Sequence, residues 1–264
     1  MRLAISHENT YRYDTPVSSA LQEVRLWPRG GPAQLVHDWT TTIEGGRVEV
    51  EFDDQFSNRV QLVSVMPGAT ETTVRVEGDV ETFDMAGVLG DHSGHAPLWL
   101  FKRATELTEA GPGLRELVAG LERADPLGTL HALAAATLDR VDYVLGSTET
   151  SSTAEQVLAQ GSGVCQDHSH IFLSGARALG HPARYVSGYL MMNDRVDQDA
   201  THAWAEVWTE GLGWVGFDVS NGISPDERYV RIATGLDYAD AAPISGLRFG
   251  TGGERLHVSV QVQQ

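Results

Sequence analysis

The amino-acid sequence predicts an α+β protein, in which an N-terminal antiparallel β domain precedes a core of helices packed on an antiparallel sheet. Three observations predict this fold class. Apolar and polar residues alternate over much of residues 1–84, with the period of two that is typical of strands. Apolar residues then recur at helical spacing over residues 114–138. Beyond residue 184, segments rich in β-branched and aromatic residues again have the composition of strands.

The N-terminal β domain is predicted over residues 1–90. Its strand pattern is clearest in Thr72–Val80, and Gly-Gly pairs elsewhere in the region mark turns. Residues 85–97 are rich in Gly, Asp and His and show no periodicity, which is typical of a connection between domains. A domain boundary near residue 90 follows, and residues 91–264 are assigned to the core.

The core is expected to begin with packing helices. A capping-box pattern at Thr153–Gln156 predicts a short helix after them, which the glycines of residues 161–163 end. A further helix starts at Cys165 and ends near Gly180, because Pro182 cannot continue it. Apolar stripes mark the first two helices at Leu114, Leu117, Val118 and Leu121, and at Leu127, Leu130, Leu133, Ala134, Thr137 and Leu138.

Strands dominate the rest of the core. Residues 184–190, 201–209 and 214–219 are predicted as strands, and residues 210–213 join the last two in a tight hairpin. Residues 256–262 alternate apolar and polar side chains. We therefore expect them to add one more strand to the core.

The charge balance excludes two classes of partner. Asp and Glu total 36 against 19 Lys and Arg, a formal net charge of -17. Such a surface repels the phosphates of nucleic acids and anionic lipid head groups. The N-terminal residues form no continuous apolar run, and no later segment has the length of a membrane span. We expect neither nucleic acid nor a membrane as partner; the oligomeric state is left open.

The cysteine content bears on compartment and on metal binding. Cys165 is the only cysteine, so no intrachain disulfide and no multi-thiolate zinc site can form within one chain. A reducing cytoplasm fits this best, and we expect no metal and no cofactor. A lone cysteine is more often a small buried hydrophobe than a nucleophile, and its neighbours have to decide between the two.

The neighbours of Cys165 favour the nucleophile. A cysteine in the first turn of a helix faces unpaired backbone N–H groups and the positive end of the helix dipole, which stabilise the thiolate over the thiol. The backbone N–H of Cys165 also faces an oxyanion that forms when the sulfur attacks a carbonyl carbon. One helical turn thus supplies a nucleophile and half of an oxyanion hole.

A thiolate that cleaves an amide needs a histidine, because the leaving amine must be protonated. His202 begins one of the predicted strands, and the small Ala203 and Ala205 on its other face suit packing against the cysteine helix. The imidazole needs an acceptor on its second nitrogen, which Asp218 supplies from the neighbouring strand. A hairpin between the two strands brings His202 and Asp218 toward opposition across the ladder.

Three short motifs carry a family resemblance. Residues 163–165 (Gly-Val-Cys), 201–204 (Thr-His-Ala-Trp) and 213–218 (Gly-Trp-Val-Gly-Phe-Asp) resemble, in order and spacing, the core motifs of the transglutaminase-like superfamily. More narrowly, Gly-Val-Cys-Gln-Asp-His, together with residues 184–189, 225–229, 11–14 and 21–26, resembles the bacterial transglutaminase-like proteins of cysteine protease type that carry an extra N-terminal β domain. The resemblance covers nearly the whole chain.

The resemblance implies a papain-like core, with the cysteine-bearing helix packed on an antiparallel sheet, and a Cys165, His202 and Asp218 triad. Members of the superfamily crosslink, deamidate or hydrolyse amides, starting from thiolate attack and an acyl-enzyme. No motif decides whether water or a primary amine resolves that intermediate. We favour a peptidase or amidase acting on a peptide or protein, because no site for an amine acceptor is evident.

Other roles for residues near the triad remain to be weighed. Asp167, His168 and His170 follow the cysteine and with His202 suggest a metal site, but on a helix these residues do not share one face. His168 is instead expected to support the site from behind or to face the substrate. The runner-up function is a non-catalytic binding or scaffolding module, which the intact triad disfavours.

Two aromatic residues complete the candidate site. Trp204 shares the face of His202 and is expected to form a cleft wall. The second oxyanion donor is not evident, and Tyr143, ahead of the cysteine helix, is a candidate because a phenol can donate there. A structural role at the end of a packing helix is the alternative for Tyr143.

Overall fold

Alternating apolar side chains fold the N-terminal region into two facing sheets. In the computed structural model, which describes residues 1–122, 125–249 and 252–264, buried Leu3 and Ile5 alternate with more exposed residues along the first strand. The strands of this region are β1 (Arg2–Tyr13), β2 (Ser19–Trp27), β3 (Gln34–Glu44), β4 (Gly46–Asp53), β5 (Arg59–Val65) and β6 (Glu71–Thr82).

The remaining elements build the core and then return to the N-terminal sheets. Two short 3-10 helices, Leu98–Lys102 and Glu106–Thr108, lead into the core. The elements are β7 (Val88–Gly90), α1 (Pro112–Ala119), α2 (Pro126–Arg140), β8 (Asp142–Tyr143), α3 (Ala154–Gln160), β9 (Ser162–Gly163), α4 (Cys165–Ala178), β10 (Ala183–Leu190), β11 (Asp197–Gln198), β12 (His202–Thr209), β13 (Gly213–Phe217), β14 (Tyr229–Gly235), α5 (Tyr238–Ala241), β15 (Ile244–Phe249) and β16 (Glu254–Gln263).

The core sheet is antiparallel, with strand order β14-β10-β12-β13-β7. Helix α4 packs across one face of this sheet. Ala203 and Ala205 of β12 belong to the same buried cluster as Ile171, Phe172 and Ala176 of α4, as the alternation of the strand predicts. The predicted α+β class, with a cysteine-bearing helix on an antiparallel sheet, is therefore confirmed.

Local sequence explains how the helices begin and end. The side chain of Asp125 caps α2 by accepting a hydrogen bond from the Gly128 N–H at 2.7 Å. Helix α3 has the predicted capping box, formed by Thr153 and Gln156. It ends at Gly161, whose φ of 78° lies in the left-handed region that glycine adopts without strain. These signals agree with the helix bounds expected from sequence.

The C-terminal strand was expected to join the core, and this expectation was wrong. Strand β16 pairs with β1 from Ala4 with Gln263 to Tyr13 with Glu254, in a sheet of order β11-β16-β1-β6-β3. Strand β15 joins the facing sheet, of order β15-β2-β5-β4. The alternation of β16 is compatible with the core sheet and with the N-terminal sheet. The strand pairs with β1, one edge of which is otherwise unpaired.

The predicted connection between the domains also contributes a strand. Within residues 85–97, β7 pairs with β13 at the edge of the core sheet. The boundary near residue 90 stays a prediction, since the chain enters the core sheet at this point and leaves it again after β14. Among the residues that the structure describes, no helix has the length and apolar character needed to cross a membrane.

Candidate active site

The first turn of α4 holds Cys165, which is half-buried. The turn is capped by Asp167, whose Oδ2 accepts hydrogen bonds from the Val164 N–H at 2.8 Å and from the Thr148 hydroxyl at 2.6 Å. A side chain at Gly163 would meet Asp167 and Val157 at less than 3 Å, so only glycine fits before the cysteine. The local sequence therefore exposes the sulfur at the helix end.

His202 lies at the start of β12, beside the cysteine. Its Nε2 donates to Asp218 Oδ2 at 2.7 Å, and Cys165 lies within hydrogen-bonding range of the same ring. Because Asp218 occupies Nε2, the nitrogen available to the sulfur is Nδ1. Burial alone lowers the pKa of His202, but hydrogen bonds with Asp218 and Cys165 outweigh it and raise the pKa to about 10. The ring is therefore an imidazolium at neutral pH.

Asp218 is held by more than His202. Its Oδ2 also accepts from the Tyr229 hydroxyl and from the Asn221 side-chain amide, each at 2.7 Å, and its Oδ1 accepts from the Asn221 N–H at 3.2 Å. Burial by itself raises the pKa of Asp218, but the hydrogen bonds and the charge of His202 lower it overall. The buried carboxylate stays ionised.

Tyr229 and Asn221 are site residues that the sequence reasoning missed. Asn221 follows Asp218 by three residues, a spacing at which an Asp side chain accepts from a turn N–H, so a local signal was present. Tyr229 ends residues 225–229, a segment that carries the family resemblance, but nothing in that segment indicates a contact with Asp218. It lies on β14, at the far side of the core sheet from β13, and only the folded sheet brings its hydroxyl to Asp218.

The pairing of His202 and Asp218 differs from the predicted one. The hairpin between β12 and β13 is present, but its ladder ends at Ala205 with Phe217. His202 and Asp218 lie beyond that last pair and are not opposed to each other. They meet through their side chains, because Asp218 sits in a turn closed by an isolated bridge to Ile223.

Tyr143 lies next to Cys165 from the side of β8. Strand β8 follows α2. Tyr143 therefore does not lie at the end of that helix, the alternative position considered for it. Strand β8 pairs in parallel with β9, which immediately precedes the cysteine turn. The side chain is half-exposed and within hydrogen-bonding range of Cys165. Burial and the neighbouring Cys165 raise the pKa of Tyr143 to about 12, so the phenol stays protonated.

His168 is buried with both ring nitrogens engaged away from the sulfur. Its Nε2 donates to the Val141 carbonyl oxygen at 3.1 Å, which leaves Nδ1 to accept from the Ser220 hydroxyl at 2.9 Å. Burial lowers the pKa of His168, so the ring is neutral. This ring fastens α4 to the segments before β8 and after β13, behind the site.

Trp204 forms a wall behind His202. The two rings lie 6.3 Å apart and nearly parallel, and Trp204 meets Tyr229 edge-on at 5.5 Å. Trp204 is buried. Within residues 1–122, 125–249 and 252–264, no group of three or more His, Cys, Asp or Glu side chains is arranged to hold a metal ion. His170, which the sequence offered as a metal ligand, accepts a hydrogen bond at Nε2 from the Tyr238 N–H.

Sequence comparison assigns the family. Residues 115–219 match the transglutaminase-like superfamily, and residues 3–81 match the bacterial transglutaminase-like N-terminal region. Uncharacterized proteins of Mycobacterium leprae and Mycobacterium tuberculosis are 29% and 30% identical over 99% of this chain and over 98% and 91% of theirs. The chain belongs to the transglutaminase-like superfamily, as its motifs predicted.

Two further proteins are similar to this chain over different shares of its length. A protein-glutamine gamma-glutamyltransferase of Pseudomonas aeruginosa is 32% identical, over 48% of this chain and 22% of its own length. A solved structure from Cytophaga hutchinsonii, for which cysteine protease activity has been suggested, superposes with a TM-score of 0.80 at 22% identity, covering 100% of this chain and 91% of that chain. The latter likeness shows a shared fold.

Proposed function

We propose that the protein cleaves an amide bond of a peptide or protein through an acyl-enzyme on Cys165. One observation carries the proposal. His202 lies between the sulfur and a buried carboxylate, with Nε2 bonded to Asp218 and Nδ1 left for Cys165. An imidazolium held in this way stabilises a thiolate beside it and has a proton to give to a leaving amine.

The reaction begins with attack of the Cys165 sulfur on the amide carbonyl carbon. The carbonyl π electrons move to oxygen, and the resulting oxyanion faces the backbone N–H of Cys165. The tetrahedral intermediate collapses as the C–N bond breaks and His202 donates its proton to the departing nitrogen. A thioester and a neutral imidazole remain. The imidazole then takes a proton from water, which attacks the thioester and releases the acid and the thiolate.

Tyr143 is the proposed second donor to the oxyanion. Its hydroxyl is next to Cys165, and the phenol keeps its proton at neutral pH. A protonated hydroxyl at this place can donate to negative charge on the carbonyl oxygen. Asp218 takes no proton in either step and acts by orienting His202.

Water is the proposed acceptor. The Pseudomonas relative is named a gamma-glutamyltransferase, so a primary amine is the alternative that resolves the same thioester. The suggested protease activity of the Cytophaga protein agrees with water. A cytoplasmic or other reducing setting is part of this proposal, since the nucleophile is the chain's only thiol.

The first test is the pH dependence of Cys165 alkylation by iodoacetamide, which needs no substrate. We expect His202→Gln to need a higher pH than the wild type for the same rate, because the variant loses the imidazolium. His168→Gln is the matched control: a buried histidine of the same site region whose nitrogens do not face the sulfur. Circular dichroism verifies that each variant is folded.

The results of this test distinguish catalysis by Cys165 and His202 from a non-catalytic binding function. A shift in His202→Gln with none in His168→Gln supports the catalytic pair, and Cys165→Ala should then abolish hydrolysis of labelled peptides. Equal, slow alkylation of the wild type and His202→Gln would contradict the proposal and favour a binding module.

A further inference from the structure

A cavity of about 240 Å³ opens between the N-terminal sheets and the core sheet, away from Cys165. Side chains of the core sheet alternate between its faces. Ala205 and Val215 lie in the cluster that packs on α4. Arg184, Glu206 and Trp214 occupy the alternate positions, so they point to the opposite face. The cavity is built on this second face, and its lining includes none of Cys165, His202 and Asp218.

Two guanidinium groups at the cavity share a single carboxylate. The Nη2 atom of Arg184 lies 2.5 Å and the Nη1 atom of Arg231 lies 3.5 Å from the same oxygen, Oε2 of Glu206. Glu206 is 1% exposed and Arg184 only 12% exposed. The three side chains therefore carry one net positive charge in a largely buried place. Burial and the neighbouring Arg231 lower the pKa of Arg184 to about 10, although Glu206 raises it.

The other walls add a third arginine and aromatic surface. Arg29 lines the cavity from the N-terminal region and pairs with Asp53, at the exposed side. Asp91 also lines the cavity but is exposed to solvent, where its charge is screened. Phe56 supplies an apolar wall, and the buried Trp214 ring supports the Arg184 guanidinium, which lies 4.0 Å from its centroid. A chain of net charge -17 thus contains a concave site at whose inner end two arginines share one carboxylate.

The walls are held rigidly before any ligand arrives. The Gln34 amide donates to the Arg231 carbonyl oxygen at 2.9 Å and accepts from the Arg231 N–H at 2.8 Å. Asn58 makes the same reciprocal pair with Thr234, at 2.7 and 2.8 Å. Two side-chain amides from the N-terminal region therefore clamp both ends of one stretch of β14. Such preorganisation reduces the entropy that binding costs.

We propose that this cavity binds a small molecule bearing an oxyanion, a carboxylate or a phosphate, against Arg184 and Arg231. Guanidinium groups present paired N–H donors that match both kinds of oxyanion. The ligand's negative charge neutralises the positive charge that Glu206 leaves uncompensated. An apolar or aromatic body on the ligand packs against Phe56. The site is separate from the proposed acyl-enzyme chemistry and does not depend on it.

The test is titration of the full chain with benzoate, glutarate and inorganic phosphate, followed by calorimetry and thermal unfolding at constant ionic strength set with sodium chloride. We expect at least one of the three to bind saturably and to raise Tm. Arg231→Gln should weaken that binding about tenfold or more, the usual worth of a hydrogen bond to a charged group. A preference for benzoate identifies a carboxylate with an aromatic body, and a preference for phosphate identifies a phosphate.

Arg228→Gln is the matched control, because Arg228 is 29% exposed against 26% for Arg231, pairs with Asp226 and does not line the cavity. It should bind as the wild type does, and so should Cys165→Ala. If Arg231→Gln does not fold, Arg231→Lys takes its place with the same expectation, because lysine keeps the charge but lacks the paired N–H donors of the guanidinium. Absence of binding to the wild type, or equal binding by the cavity variant and the control, would overturn the proposal.

Discussion

Three donors converge on one oxygen atom of Asp218. His202, Tyr229 and Asn221 all bond to its Oδ2 at 2.7 Å. A carboxylate held by three donors has one orientation, and it can hold the imidazole in one orientation as well. The direction in which His202 presents Nδ1 to Cys165 is therefore set by residues that never contact the sulfur.

Replacement of Tyr229 by Phe should loosen this arrangement. The change removes one donor to a buried carboxylate, so the free energy of unfolding should fall by about 1–3 kcal/mol. Alkylation of Cys165 at neutral pH should slow, because His202 is held less firmly. Urea unfolding and iodoacetamide kinetics measure the two effects.

Tyr189→Phe is the control for that variant. The Tyr189 hydroxyl is buried and bonds His7 at 2.9 Å, away from the cysteine. This variant should lose stability while the alkylation rate stays unchanged. If Tyr229→Phe also leaves the rate unchanged, the hydroxyl serves stability alone and does not position His202.

At the scale of single residues, the sequence predicts what local chemistry determines. Cys165, His202 and Asp218 each stand in a short motif whose residue types suit nucleophile, base and acceptor, and the structure brings the three together. Tyr229 could not be found in the same way. Its contact with Asp218 depends on β14 pairing with β10, a long-range arrangement without a local pattern.

Among the elements, α4 depends on a cap that also reaches the neighbouring loop. Asp167 binds the Val164 N–H at the helix start and the Thr148 hydroxyl in the segment after β8. That segment continues from Tyr143, the proposed oxyanion donor. A single carboxylate therefore connects the end of the helix dipole to the loop beside the sulfur.

Asp167→Ala should reveal this double role. Asp167 is the third residue of the helix and bonds the N–H of the N-cap residue Val164, so its loss should lower the free energy of unfolding by about 1 kcal/mol. Alkylation of Cys165 should also slow, because the helix start and the loop both become less ordered. Asp125→Ala, which removes the cap of α2, should cost similar stability without affecting alkylation. Equal alkylation rates in the two variants would exclude a role for the cap at the site.

Helices and strands are predicted correctly where the local sequence signal is strong, and they are missed where the element is too short to show a period. The capping box of α3 and the end of α4 near Gly180 follow from strong local preferences. Strands β7 and β11 span three and two residues, too few to show a period. The position of β16 was mispredicted because alternation identifies a strand but not its partner.

A buried histidine connects the N-terminal sheet that contains β1 to the core sheet. His7 of β1 meets the Tyr189 hydroxyl of β10 at 2.9 Å, and its Nε2 accepts from the Asn9 side chain at 2.8 Å. Burial lowers the pKa of His7 to about 4, and that of His170 in the core likewise to about 4. Both rings are neutral in the native state at neutral pH.

Stability should accordingly fall in mild acid. Between pH 6.5 and about 4, His7 and His170 bind protons in the unfolded chain but stay neutral in the native protein. The contribution of each ring to the free energy of unfolding is therefore present above pH 6.5 and is lost as the pH falls. The cost should reach about 2 kcal/mol per ring by pH 5. His202 acts in the opposite sense, since its raised pKa of about 10 gives stability that is lost as pH rises above 6.5.

Urea unfolding across pH 4–9 measures this profile, which should have its maximum near pH 6.5. His7→Gln should flatten the acidic side, because the variant has no ring to protonate. His37→Gln is the control, as His37 lies at the exposed edge of the N-terminal region. An unchanged acidic slope in His7→Gln would contradict the assignment.

The return of β15 and β16 to the N-terminal sheets gives the chain an order of assembly. A ribosome makes β1 long before β16, yet Ala4 pairs with Gln263. Until β16 emerges, one edge of β1 has unpaired N–H and C=O groups that invite another strand. The segment just before His202 is fastened last as well, since β11 pairs with β16. A chain in which β16 has not yet formed would thus carry all three motif residues, while β11 and one edge of β1 still lack their partner strand.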